Sequence, residues 1–326
     1  MIAEVFITPD VFTASEDVLR SRLVNLSSIL LPQRITPRFV VCQLDSQKWQ
    51  KAVGAKLVSI RSQELQSNAK AMFMHLIDQE RGVCVNRPLD AGIELASESD
   101  WVCAAKTSSV RAAIDGIVSS DATRDQCMAV DEFCGDDFWG RYPNPRTVGR
   151  TLADQEPLLQ TICFHSDWLL IRLPYVGGDD NDEIITLKQI LRLAANRIEG
   201  QKKCSIYIHV ASRPRRQGGD EKLKRDVEDQ IVEYQAKLEC LDIQVVSPNA
   251  ILDRMLFAGE WASMPHQQRA KRVRWLLTMT HVAIGRSRDA STEPCTWSLF
   301  DRRSAHNRLK QIEEQLSSSV RASVSE

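Results

Sequence analysis

The chain has 326 residues, of which 43% are apolar and 26% charged, and its 42 Lys and Arg against 43 Asp and Glu leave a net charge of −1. That length exceeds the roughly 100–200 residues of a single domain, so two domains are expected. The near-neutral balance excludes a protein held to nucleic acid by bulk charge, and no window approaches the ~18 uninterrupted apolar residues of a membrane helix.

Residues 3–8, AEVFIT, alternate and carry β-branched side chains, the pattern of an opening strand. Ser15, followed by Glu16 and Asp17, has the capping chemistry that starts a helix. Residues 37–44 form a second apolar run of strand length, 47–79 predict one or two helices, and 81–86 a short strand. The stretch 90–114 is expected to be helical, and 115–121 (DGIVSSD) a buried strand ending in a polar tip. Between about 134 and 148 the pattern gives way to Gly, Pro and Asp, the composition of a loop or linker, so a domain boundary is placed there.

The second half opens with a short helix at 149–160 and then alternates: strand 167–175, helix 182–198, strand 204–211, helix 219–240, strand 241–247. Such alternation needs crossover connections and predicts a largely parallel sheet covered on both faces. Further strands are expected at 254–261, 273–285 and 295–300, then a closing helix from Arg302 to about Ser317 and a flexible tail at 319–326. The domains are therefore set at 1–140 and 149–318, both α/β.

Nothing in MIAEVFITPDVF has the basic and apolar regions of a signal peptide, and the nine cysteines lie in runs such as VVCQL and TICF. A cytoplasmic protein with reduced core cysteines is expected. The C-x6-C pair Cys127 and Cys134 lacks the spacing of a zinc site.

Several marks in the second half, in order, carry a resemblance. Arg172-Leu173-Pro174-Tyr175 ends a strand, Tyr207-Ile208-His209 lies on the next, a long helix feeds a strand that leads to Leu252-Asp253-Arg254, and Gly-containing and Trp strands follow. From about Thr161 to Ser317 the chain resembles the phospholipase-D-like domains of prokaryotic conflict and phage-defence proteins, related in fold to the C-terminal domain of MIT proteins. Those relatives read His-Asp-Arg where this chain has Leu252, and leucine neither attacks phosphorus nor protonates a leaving group. The resemblance therefore implies a degenerate domain kept for binding. Arg254 has two readings, an ion pair with Asp253 or a fork for phosphate. His209 is either a packed core histidine or a substitute catalytic group. The basic clusters Arg213, Arg215, Arg216 and Arg269, Lys271, Arg272 suit a solvated face, an acidic protein partner or a phosphate backbone.

Four acids carry a weaker resemblance in the first half: Asp10 after the first strand, Glu64 on a helix, Asp100 opening a helix and Asp121 after a strand. Their order is similar to that of PIN domains, metal-dependent nucleases, which implies Mg or Mn held by these four oxygen donors. Each also has a local explanation as turn former, N-cap or solvated helix face. Two functions are thus expected: a defence-system component with a nuclease first domain and a binding second domain, or a non-enzymatic scaffold or adaptor of a defence complex. Its partners would be proteins of the same locus, with RNA or DNA as a further ligand and no membrane.

Overall fold

A computed structural model describes residues 2–30, 39–77, 84–89, 92–109, 113–124, 126–149, 151–174, 182–197, 203–212, 219–247, 254–261, 271–281 and 295–323. The protein is mixed α/β and divides into two compact units, Met1–Pro143 and Asn144–Glu326.

The first unit contains β1 (Ala3–Ile7), a 3-10 turn (Pro9–Phe12), α1 (Glu16–Leu30), β2 (Phe39–Leu44), α2 (Ser46–Val58), α3 (Gln63–Ile77), β3 (Cys84–Arg87), α4 (Glu98–Ser109), β4 (Gly116–Val118), β5 (Cys127–Met128), α5 (Val130–Cys134) and α6 (Asp136–Gly140). Its five strands are ordered β3-β2-β1-β4-β5 and are all parallel. Every residue of β1 and β2 is buried, as befits central strands with both faces covered.

One face of that sheet holds a charged pair. Glu4 on β1 accepts from Arg87 Nε at 2.5 Å, with both side chains essentially inaccessible. Arg87 lies on the edge strand, two strands away, so its side chain crosses β2 at buried Cys42 to reach Glu4. It also donates to the Ser108 carbonyl (3.1 Å) and hydroxyl (3.2 Å) at the end of α4, and to the Ala113 carbonyl (3.3 Å). Burial disfavours the guanidinium charge, but the Glu4 carboxylate outweighs it and holds the Arg87 pKa above its ordinary value. The opposite face is closed by aromatic side chains: Phe39 packs against Phe133 of α5 and Trp139 of α6, and Phe133 against Phe138.

The second unit contains β6 (Arg146–Val148), α7 (Leu152–His165), β7 (Trp168–Leu173), α8 (Asp182–Ala195), β8 (Ser205–Ala211), α9 (Gly219–Gln235), β9 (Cys240–Val246), β10 (Arg254–Trp261), β11 (Lys271–His281), β12 (Cys295–Leu299) and α10 (Arg302–Ser323). The order is β6-β12-β11-β10-β7-β8-β9. β7, β8 and β9 are parallel, whereas β10, β11, β12 and β6 join antiparallel. Ile190 of α8 lines one face with Ile171, Leu173 and Leu256. On the other face Ala305, Leu309 and Ile312 of α10 pack over Trp168, Leu170, Met255, Phe257, Val273 and Leu276. The β10–β11 ladder carries a bulge between Ala258 and Gly259, where Val273 and Trp275 pair with consecutive residues of β10. A Cβ on Gly259 would lie 1.8 Å from the Arg272 carbonyl oxygen, so the close strand approach there needs glycine.

Several expectations are corrected. The 134–148 loop instead follows α5, contains α6 and ends in β6, because Phe133, Phe138 and Trp139 give it a core of its own. The long helix expected at 90–114 is confined, among the described residues, to Glu98–Ser109. The second sheet is mixed rather than largely parallel, since no described helix separates β10, β11 and β12. The closing helix runs to Ser323 rather than ending near 317, in a stretch with no Gly or Pro to stop it. Cys103 and Cys240 are exposed rather than in the core, while all nine cysteines are free thiols. No described helix is long and apolar enough to cross a membrane.

Removing one partner of a buried ion pair strands the other charge, at about 3–5 kcal/mol. Arg87→Met is expected to lower the stability of the first unit by that amount, read from urea titrations followed by hydrogen exchange at the β1 and β2 amides.

Candidate functional site

In the first unit the chain runs from β1 to β2 and β3 on one side, then to β4 and β5 on the other. The ends of β1 and β4 therefore flank the switch point where doubly wound sheets hold ligands. Glu98, in the first turn of α4, sits there 8% exposed. Its carboxylate accepts from the Thr8 hydroxyl (2.6 Å) after β1, and from the Ser120 amide (2.7 Å) and hydroxyl (2.6 Å) after β4. Burial opposes ionisation of Glu98, but the bonds from Ser120 and Thr8 and the Arg124 charge outweigh it and hold its pKa below the ordinary value. Arg22 of α1 spans the same gap, donating to the carbonyls of Ser120 (3.0 Å) and Val11 (3.3 Å).

The four predicted metal ligands are placed as follows. Asp10, in the turn after β1, is bound by Lys56 Nζ at 2.5 Å. Asp121, after β4, accepts from the Thr123 amide (3.0 Å) and hydroxyl (2.6 Å) and faces Arg124 Nε at 3.5 Å. Asp100 turns back onto the start of its own helix, accepting from Ser97 N and Oγ, both at 2.8 Å. These bonds, led by the Thr123 and Ser97 hydroxyls, hold both aspartates below their ordinary pKa. Glu64, at the start of α3, is exposed and meets Arg20 of α1 at 3.2 Å. Asp10, Asp100 and Asp121 thus stand near one sheet edge with their carboxylates committed to separate neighbours, and Glu64 joins α3 to α1. As they stand, these four donors do not fit a shared divalent cation, which needs several oxygens converging on one point. Among the described residues no three His, Cys, Asp or Glu side chains gather as a metal site.

In the second unit the predicted binding residues fall on two faces of one sheet. Neighbouring residues on a strand project oppositely, so Lys271 and Arg272 part company. Arg254 lies on the α8 face, its Nε donating to the Glu183 carboxylate at 2.5 Å, with Glu183 3% exposed. His209 lies on the α10 face of β8, in register with Arg172 of β7 and Gln244 of β9. Lys271 reaches along this face over the rings of Trp168 (5.6 Å) and Tyr207 (3.6 Å). His209 is 5% exposed, and its Nδ1 is buried without a hydrogen-bond partner. Burial, then the Arg172 and Lys271 charges, push its pKa down to about 4, with Asp242 opposing. Burial likewise lowers Lys271, with Glu313, Asp242 and Cys240 acting against it. Arg213, Arg215, Arg216, Leu252, Asp253 and Arg269 lie outside the described residues.

The sequence reading missed Glu98, Thr8 and Ser120 at the switch point, and Arg172 and Tyr207 around His209. Arg172 had a visible signal, a lone charge within the apolar run WLLIRLP. Glu98 stands in the run SESD beside Asp100, and composition alone does not rank these two acids. Comparison with known proteins gives no matching family model and no matching curated protein.

A histidine with a folded pKa below its unfolded value of about 6.5 stabilises the fold above that value and loses this contribution as pH falls towards the folded pKa. With His209 at about 4, the stability of the second unit should drop between pH 6.5 and 4, by a total on the order of 3 kcal/mol. Urea midpoints of His209→Gln should stay level between pH 6.5 and 5 while those of the unaltered protein fall. Carboxylates such as Glu98, whose pKa is lowered, lose their contribution only as pH drops through and below about 4.5, outside that window.

Proposed function

We propose that this protein is a non-enzymatic binding subunit, an adaptor that works by contact rather than by hydrolysis, in a prokaryotic defence or mobile-element conflict system. The observation that carries the non-enzymatic part is the commitment of the four acids to separate local partners, above all Asp10 to Lys56 at 2.5 Å. An aspartate neutralised by its own lysine is a weak candidate for a metal ligand. The defence setting, a cytoplasmic location and partners encoded at the same locus rest on the phospholipase-D-like resemblance of the second half. Leu252 in place of the expected histidine supports a domain that binds without cleaving. The mixed sheet of that half and the β3-β2-β1-β4-β5 order of the first are compatible with a degenerate phospholipase-D-like domain and a PIN-like domain.

A second reading, metal-dependent cleavage of a phosphodiester by the first unit, draws on one observation. Asp10, Glu98 and Asp121 all sit where β1 and β4 end, the ligand edge of a doubly wound sheet.

The two readings separate in one assay. Labelled single-stranded RNA and DNA are incubated with the protein and manganese, beside an Asp10→Asn plus Asp100→Asn double variant. Both proteins are expected to leave the substrates intact. Manganese-dependent cleavage that disappears in the double variant overturns the binding reading in favour of the nuclease.

A further inference from the structure

Among the described residues the two sheets end in four edge strands, β3 and β5 in the first and β6 and β9 in the second. β3, β5 and β6 have four, two and three residues, and shortness alone guards such edges against pairing with another chain. β9 has seven. Its register with β8 runs without a shift, so no bulge bends it, and its sequence CLDIQVV contains no Pro, Lys or Arg. Five of those residues are apolar, which leaves Asp242 as the one charged guard of the edge.

The direction of the open backbone groups follows from one contact. The Ser212 amide donates to the Val246 carbonyl at 2.8 Å, so Val246, and by alternation Gln244 and Asp242, turn their backbone groups towards β8. Leu241, Ile243 and Val245 therefore aim theirs away from the sheet. The helix above this strand, α9, has a matching flank. Its Tyr234 lies within the field of Arg192 on α8, and Val232, about 200° round the helix from Tyr234, projects to the other side, over the open edge. That valine is 62% exposed.

We propose that β9 is a homodimerisation edge, on which two copies of the chain pair antiparallel about a two-fold axis at Ile243 and one sheet runs through both. A two-fold axis normal to the sheet keeps each face on its own side, so only residues with the same projection oppose each other. Centred on Ile243, the pairing uses all seven residues, joins Ile243 to its own image through two backbone hydrogen bonds, and twice sets Asp242 opposite Gln244 of the second copy. Centred on Asp242 it brings two carboxylates face to face, and centred on Gln244 it pairs five residues only. Gln244 Nε2 already donates to the Asp242 carboxylate of its own strand at 2.9 Å, and its second amide hydrogen suits the Asp242 of the other copy. Asp242 also bears on Lys271 and His209 of its own sheet, so an uncharged donor opposite it adds a bond without adding a competing cation. A foreign strand would meet the same backbone groups. What selects a second copy is the self-matching of Asp242 with Gln244, together with the exposed Val232 flank that the neighbouring α9 would cover. The pairing goes beyond the adaptor reading and does not rest on it.

The test is sedimentation of the full chain at about 1–100 μM, concentrations that populate a dimer with a Kd in the micromolar range. The mass is expected to rise with concentration from 36.9 kDa towards twice that value, with the Leu241, Ile243 and Val245 amides gaining protection from hydrogen exchange over the same range. Val245→Pro removes an outward amide and none from the β8 ladder, and is expected to weaken the dimer about tenfold or more. Gln244→Glu, at an exposed position, opposes a carboxylate to Asp242 of the second copy at two symmetric places and is expected to weaken it about tenfold, with Asp242→Asn in the same chain restoring most of the loss. The glutamate variant keeps the test open should Val245→Pro fail to fold. A chain that stays monomeric at about 100 μM, or a dimer that either variant leaves unchanged, overturns the proposal. The manganese assay bears on the adaptor reading alone, so cleavage would remove that reading and leave the dimer standing, and a monomer without cleavage does the reverse.

Discussion

The Arg87 guanidinium, laid across the first sheet to Glu4, fixes the geometry on which the switch point depends. From the edge strand it ties down the central strand, the end of α4 at Ser108 and the lead-in to β4 at Ala113. The backbone on the far side is locked as well: the Glu4 amide donates to Asp115 at 2.6 Å, and the Asp115 amide returns to the Glu4 carbonyl at 2.7 Å. With its C-terminal end held by Arg87, α4 is a rod of about 18 Å whose other end is placed by length alone. That end carries Glu98, which bonds to the residues following β1 and β4. The two anchors of one helix thus join both edges of the sheet's central pair. Cys42 is part of the same arrangement, since a larger side chain there would stand in the path of the arginine.

The second sheet carries charged side chains on both faces. On the α8 side, Arg254 is matched by Glu183, and Arg274 by Glu260 at 2.8 Å, so each of these guanidiniums has a carboxylate beside it. On the α10 side, Arg172 and Lys271 flank a histidine, with Asp242 acting on the histidine and, together with Glu313, on Lys271. Parallel strands β7 to β9 form the part of the sheet that carries His209 and its neighbours, and the antiparallel strands supply the Lys271 arm and much of the apolar bed under α10. Architecture common to many α/β proteins therefore becomes a local polar cluster through a few residues whose projections happen to agree.

Much of the framework was legible in the residues. Strands such as Phe39–Leu44 and Trp168–Leu173 are apolar runs broken by one polar residue each, Gln43 and Arg172, and α9 shows Leu223, Val227 and Ile231 at helical spacing. Short elements resisted: β5 and α6 are held by the contacts of Met128 with Gly116 and of Trp139 with Phe39, which no local pattern records. The acids illustrate the harder limit. Asp10, Asp100 and Asp121 could be read as carboxylates near strand or helix ends, but whether each meets a lysine, its own helix or a turn is decided by side chains distant in sequence or by local geometry. For Arg254 the sequence offers its neighbour Asp253 or a phosphate and does not point to Glu183, 71 positions away, whose carboxylate accepts from its Nε.

The extra residue in β11 opposite Ala258 and Gly259 decides which basic side chain lies over Tyr207. In an uninterrupted ladder Gly259 would face Arg274 and Trp261 would face Arg272, so the arginines would take the α10 side and Lys271 would turn away. One inserted position exchanges a rigid planar fork for a slender, yielding ammonium. A strand that paired here without its bulge would thus transpose the two chemistries across the sheet with the composition of the protein unchanged.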